Sequence, residues 1–221
     1  REIITNISLL AIGTIILKHQ LKDSLLIVGY GSIGHKYHQA AKSFFNKENI
    51  YISTPSDKII DLVQSYGVNV VKRSQESDHS QWIKESVNPI ESEFVLWTHA
   101  TSPFISSGDY QKMLETFFNL PKNHDSLIAV YKEQEYIFYQ SEPLNFDIDK
   151  FRGRKDIEPV FRNTNGCYIT PRENYRQNRI YFGETPFYYQ VDKLTSLEIK
   201  DIDHYEMALN LLSLYFKTKE I

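Results

Sequence analysis

A chain of 221 residues with a net charge of -3 is long enough to bury the core of one α/β domain, and it offers no basic run for nucleic acid. Its one cysteine, Cys167, excludes an intramolecular disulfide and fits a reducing compartment. These features predict a single domain over 1–221, cytoplasmic, with neither a nucleic-acid nor a membrane partner.

The first apolar stretch, ISLLAIGTIIL (7–17), lacks a small-x-small cleavage site and falls well short of the roughly 20 residues of a membrane helix. It is expected to pack on the domain as a strand or a helix. Residues 25–29 (LLIVG) read as a buried strand and 35–45 as a helix. NIYIST (49–54) is the next strand, and Thr54-Pro55 supplies an N-cap and first-turn proline for a helix through Tyr66, closed by Gly67. VNVVKR (68–73) is a third strand, a polar helix follows over 78–87, and EFVLWTHA (93–100) is a fourth, strongly apolar strand. This alternation predicts a Rossmann-like α/β fold, a mostly parallel sheet with helices on both faces.

Beyond residue 100 the texture changes. A helix is predicted over 108–119 and one or two strands over 125–140, and the polar stretch 141–165 suggests a functional loop or arm. GCYITPRE (166–173) and TPFYYQVD (185–192) read as strands. An acidic turn, SLEIKDID (196–203), leads into a closing helix with apolar residues at helical spacing.

The run GYGSIG places Gly29, Gly31 and Gly34 between strand and helix, where glycine backbone and the amides around Ser32 suit a phosphate. This stretch resembles the opening of glucose-fructose-oxidoreductase-type dehydrogenases, which implies an NAD(P)-binding oxidoreductase or a fragment of one. Against it, the second strand ends in Ser53 and Thr54 where a ribose-binding acid is expected, and no Lys-Pro catalytic segment follows.

From about residue 49 to 215, four segments in order resemble another family. They are IYISTPSDKIIDLVQSYGVNVVKR, VLWTHATSPF, RKDIEPVFRNTNGCYIT and SLEIKDIDHYEMALNLL. They are similar to the strand-helix-strand, Leu-Gln-Pro-Thr-Ser-Pro-Leu, Arg-Gln…Arg-x-Asn-Gly-x-x-Tyr-Ile and Ser-Ile-Asp-Ile-Asp segments of the CMP-acylneuraminate synthetases. Those enzymes are acylneuraminate cytidylyltransferases of the nucleotide-diphosphosugar transferase fold. The resemblance implies that CTP and a sialic-acid-type sugar acid give CMP-sugar and pyrophosphate, with Mg²⁺ as cofactor. It also implies a homodimer, with an arm at about 135–170 reaching a partner or the substrate.

Carried over by position, His99 falls where the family has a substrate-contacting Gln, and Thr101 and Ser102 match its Thr-Ser-Pro turn. Arg154 and Arg162 match two arginines suited to a carboxylate, Asn165 matches its Asn displaced by one residue, and Tyr168 its Tyr. Glu198 matches the first metal-binding Asp; Lys200 stands at the second, with Asp201 close by as a substitute ligand. The family's basic phosphate loop, which supplies its catalytic lysine, is replaced by the glycine turn, with His35 and Lys36 as the nearby cations. No catalytic residue is therefore assigned, and impaired activity or a binding-only homologue is the further expectation.

Overall fold

The computed structural model describes residues 24–28, 32–42, 45–177 and 179–219. The apolar 7–17 stretch, Gly29 and Gly31 lie outside the described residues.

Strands β1 (Leu25–Val28), β2 (Ile50–Thr54) and β3 (Asn69–Lys72) form a three-stranded parallel sheet in the order β1-β2-β3, with no register break. Side chains alternate across a strand. Ile50 and Ile52 therefore enter one core with Ala41 and Phe45 of the α1 region (α1, Ser32–Ala41) and Val63 of α2 (Asp57–Gln64). Ser53 points the other way, to Ser86 of α3 (His79–Val87). Helices thus cover both faces, as the strand-helix rhythm predicts.

The second sheet is β4-β8-β5-β9, built from β4 (Phe94–Trp97), β5 (Ser126–Glu133), β8 (Val160–Pro171) and β9 (Pro186–Gln190). β8 is antiparallel to both β4 and β5, and β9 is parallel to β5, so β8 is the one reversed strand of this sheet. Phe94, Leu96, Leu127, Ala129, Cys167 and Ile169 meet α4 (Ser107–Phe118) on one face. Leu26, Val95 and Trp97 meet Ile83 and Val87 of α3 and Tyr175 of α5 (Arg172–Arg176) on the other. Because Leu26 belongs to β1 and Val95 to β4, this core joins the two sheets.

Helix starts differ from the sequence reading in instructive ways. Thr54 ends β2, buried, and its hydroxyl accepts from Ser56 N at 3.2 Å; Ser56, not Thr54, stands at the N-cap of α2. Gly67 closes that helix at φ 69°, where glycine bears no Cβ penalty. α3 is capped by Asp78, whose Oδ1 accepts from Gln81 N at 2.8 Å, and α4 by a reciprocal Ser106–Asp109 capping box.

The predicted polar arm is a structured excursion. β6 (Phe138–Tyr139) and β7 (Glu142–Pro143) form a hairpin whose two-residue turn puts Gln140 and Ser141 at φ 50° and 69°. Tyr136 stacks on Phe151 at 4.8 Å with Phe146 against both, and Asn145 and Gln134 bond backbone groups across the excursion. Its tip is apolar on the outside: Phe138, Tyr139, Ile148 and Phe151 are all exposed. The closing helix α6 is Ile202–Lys219.

Candidate functional site

The chemistry gathers where β4 ends. After Trp97 the chain turns through His99–Ser102, closed by Ser102 N donating to His99 O at 3.2 Å. Thr98 Oγ1 donates to Gly166 O at 2.9 Å, and Tyr110 OH reaches the same carbonyl at 3.2 Å, tying this turn to β8.

β8 deforms at that point. Its register against β5 shifts between Ile128 (opposite Tyr168) and Val130 (opposite Asn163), so 164–167 face Ala129 alone. This wide bulge holds Asn165 at φ 54°, a left-handed conformation that asparagine tolerates better than most residues. A Cβ on Gly166 beside it would meet the terminal methyl of buried Ile105, which would have to shift. The Asn-Gly pair, which as sequence resembles an ordinary turn, sits inside a long strand and aims a side chain.

That side chain is the amide of Asn165. Its Nδ2 donates to both oxygens of Glu198, at 3.1 and 3.2 Å. Lys200 Nζ lies 3.5 Å from Glu198 Oε2. Tyr168 OH donates to Asn165 Oδ1 and accepts from Asn163 Nδ2 at 2.6 Å. The segment carrying Glu198 is pinned by Ile199 N donating to Thr101 O at 2.8 Å. Three segments distant in sequence thus converge on one polar network.

Aromatic rings pack beside it. Tyr168 stacks on Tyr181 with ring centroids 4.7 Å apart, and Trp97 and His99 flank Tyr181 at 5.4 and 6.0 Å. Tyr181 has φ 70°, unusual for a bulky side chain and of the kind that concentrates at functional sites. Burial pushes its hydroxyl up to about 12, with Tyr168 adding to the shift, and burial also raises Tyr168. Both phenols are therefore hydrogen-bond donors at neutral pH.

His99 is placed as a donor as well. Trp97 Nε1 donates to His99 Nε2 at 3.2 Å, and an indole N–H only donates. The neutral ring therefore carries its proton on Nδ1. Burial holds the ring below the usual histidine value, against the opposing charge of Glu198 and with His79 deepening the shift. A neutral N–H donor stands where the resemblance has a glutamine amide.

The remaining predicted residues are less central. Thr101 contributes its carbonyl to Ile199, and the Ser102 hydroxyl is sealed inside with no partner among the described residues. Arg162 Nε pairs with Glu133 at 3.0 Å and its Nη2 donates to Ser196 at 3.3 Å, two residues before Glu198. Arg154 lies out on the arm, exposed, with Nη1 on both oxygens of Glu135 at 2.7 and 2.9 Å. The two arginines are not brought together.

Of the glycine run, Ser32 opens α1 and Gly34 lies in its first turn. At this edge Ser53 is buried and hydrogen-bonded to Ser86 at 2.7 Å, so no ribose acid stands there. The sequence reading missed Arg73. It follows β3 directly, its backbone N donates to Thr54 O at 3.3 Å, its guanidinium lies 5.3 Å over Trp82, and its buried Nε has no partner among the described residues. Its position one residue past a strand's carboxyl end was the available signal. Tyr181 and Trp97 were also missed, since no spacing marks an aromatic as part of such a cluster.

The residues present do not fit the expected magnesium site. Asp201 Oδ1 accepts from His204 N at 2.9 Å and pairs with His204 Nδ1 at 2.7 Å in the first turn of α6. Among the described residues no three His, Cys, Asp or Glu side chains form a metal-holding group.

The same fold is found in two solved proteins. The solved CMP:2-keto-3-deoxy-manno-octonic acid synthetase complexed with CTP superposes with a TM-score of 0.51 at 14% identity, over 88% of this chain and 99% of that one. The Francisella tularensis 2-C-methyl-D-erythritol 4-phosphate cytidylyltransferase gives 0.53 at 12% identity, over 85% and 98%. The chain belongs to the cytidylyltransferase family, whose profile matches residues 22–221. It is 24% identical to the N-acylneuraminate cytidylyltransferase of Streptococcus agalactiae serotype V, over 90% of this chain and 51% of the relative; a serotype III relative gives the same figures. The chain thus spans about half the length of these relatives. The family match begins before β1, so the glycine run lies within it, and this counts against a separate NAD(P)-binding oxidoreductase unit.

Proposed function

We propose that this chain carries cytidylyl transfer from CTP to a sialic-acid-type sugar acid, releasing pyrophosphate. The observation that carries the reading is the convergence of His99, Asn165, Tyr168 and Glu198 at the end of β4, each on a position matched to the family. In this reading the nucleotide lies along the carboxyl edge of β1–β3, by the glycine turn and Arg73. The Gly29, Gly31 and Ser32 amides take phosphate oxygens, and the Arg73 guanidinium meets the nucleotide.

The sugar occupies the pocket walled by Tyr168 and Tyr181. His99 Nδ1–H donates to it, standing in for an amide, and Arg162 meets the sugar carboxylate. The sugar hydroxyl attacks the α-phosphorus, the bond between the α-phosphorus and the bridging oxygen breaks, pyrophosphate leaves, and the hydroxyl proton passes to solvent. Positioning and fixed charge do most of the work in such a transfer. Two copies of the chain associate through the exposed aromatic face of the arm, with Phe138, Tyr139 and Phe151 at the contact.

The test supplies purified protein with CTP and N-acetylneuraminate and follows pyrophosphate release, with UTP and NADH as comparisons. CTP-specific release supports the reading. CTP binding without release points to a binding subunit, and NADH binding without CTP binding overturns it.

A further inference from the structure

We propose that an internal ion pair, Lys200–Glu198, takes the place of a carboxylate-bound divalent cation at the sugar end of this site. The inference rests on the cytidylyl-transfer reading of the pocket, and its test omits nucleotide and sugar so that the two fail separately.

Both oxygens of Glu198 are already engaged. Asn165 Nδ2 donates to each, and the Lys200 ammonium sits 3.5 Å from Oε2. The Glu198 side chain is only 11% exposed, so the approach not taken by these groups is narrow. A magnesium ion demands near-octahedral oxygen ligands at about 2.0–2.1 Å. To reach Glu198 it would have to displace the amide and then share the carboxylate with an ammonium of like charge.

The local fold is committed to the arrangement. Asn165 holds φ 54° inside a strand, and its amide is spent on Glu198. Tyr168 and Asn163 fix the same side chain from the other end. The alternative acid, Asp201, stands just before α6 with its Oδ1 bonded to His204. The site therefore carries its cation covalently, on Lys200, whose ammonium is 59% exposed along the side chain and free to meet an anionic ligand.

The test titrates Mn²⁺ into the full chain and reads loss of the free-ion electron paramagnetic resonance signal, for wild type, Glu198→Gln and Lys200→Asp. Wild type and Glu198→Gln are expected to bind alike, and Lys200→Asp at least about tenfold tighter than wild type, since carboxylate count tunes affinity for a hard dication. Wild-type Mn²⁺ binding that Glu198→Gln abolishes would overturn the proposal. So would a folded Lys200→Asp with no gain, for then the lysine is not what excludes the ion. Should Lys200→Asp fail to fold, Lys200→Gln removes the ammonium without adding charge, and the same gain or its absence decides.

Discussion

The three strands β1–β3 pair residue for residue, and the polar side chain at their carboxyl edge, Ser53, is consumed by a buried bond to Ser86. In the β4-β8-β5-β9 sheet, β8 slips register against β5, and Asn165 and Tyr181 hold positive φ. The regular half presents single side chains, Lys72 paired with Asp57 and Arg73 over Trp82 just past β3. The irregular half carries a network in which Asn163, Asn165 and Tyr168 of β8 hold one another and Asn165 reaches across to Glu198. Regularity serves the core and leaves single side chains at its edge, whereas the register slip gathers several polar side chains at one place.

That contrast can be broken most forcefully through the regular half. Ile52 is fully buried in the core of the parallel sheet. Ile52→Ala should lower unfolding free energy by about 2–5 kcal/mol, from lost burial plus the cavity left behind. Urea unfolding measures it. If the halves divide as described, the surviving folded fraction keeps an unchanged KM for the sugar acid; a shifted KM would show the core and site to be one mechanical unit.

The next test falls on the bulge. Asn165→Ala and Asn165→Gly both strip the amide from Glu198, and turnover should fall in both. Alanine must in addition hold a left-handed backbone, so it should be less stable than glycine by about 1 kcal/mol. Equal melting temperatures would mean that the bulge relaxes once the amide is gone.

The same division explains what could be read before the fold was known. β1 through β4 and their helices announce themselves by period and by Gly67, because a buried parallel strand must be apolar and a helix must end somewhere. The resemblance motifs single out His99, Asn165, Tyr168 and Glu198, and the fold brings these side chains together. Their wiring was not legible. That Trp97 fixes the tautomer of His99, or that Asn165 bonds both oxygens of Glu198 across 33 residues, depends on a register slip that no local pattern encodes. Nor did polarity reveal the hairpin at 138–143, the cluster of Tyr136, Phe146 and Phe151 behind it, or that 160–165 belong to β8. The aromatics of that cluster are spaced by turn geometry rather than by strand or helix period.

His99 supplies a smaller, pH-dependent effect. Burial holds its folded value below the ordinary 6.5. As pH falls through about 6.5 the unfolded chain takes up a proton that the folded chain refuses, so stability present above that pH is lost below it. Melting temperatures at about pH 7.5 and about pH 5.5 should therefore fall more for wild type than for His99→Gln. Parallel slopes would show that the ring protonates freely in the fold. In turnover, His99→Gln should keep most of the rate because an amide also donates, whereas His99→Ala should lose it.

The smallest expected effect separates two arginines that look equivalent as sequence. Both belong to one polar stretch, and both end in a carboxylate pair. Arg154, however, spends its guanidinium on Glu135 in the open, on the arm. An exposed pair of this kind is screened by water and salt, so Arg154→Ala should leave the melting temperature unchanged. Arg162 lies over Tyr131, pairs with Glu133 and reaches Ser196 beside the Glu198 segment. Its removal should cost about 0–1 kcal/mol in stability, yet raise the KM for the sugar acid while leaving the KM for CTP in place. If instead Arg154→Ala raises the sugar-acid KM, the arm must deliver its arginine into a substrate pocket other than the one beside it. The partner copy's pocket is then the place to look, and that result would move the site's boundary from one chain to two.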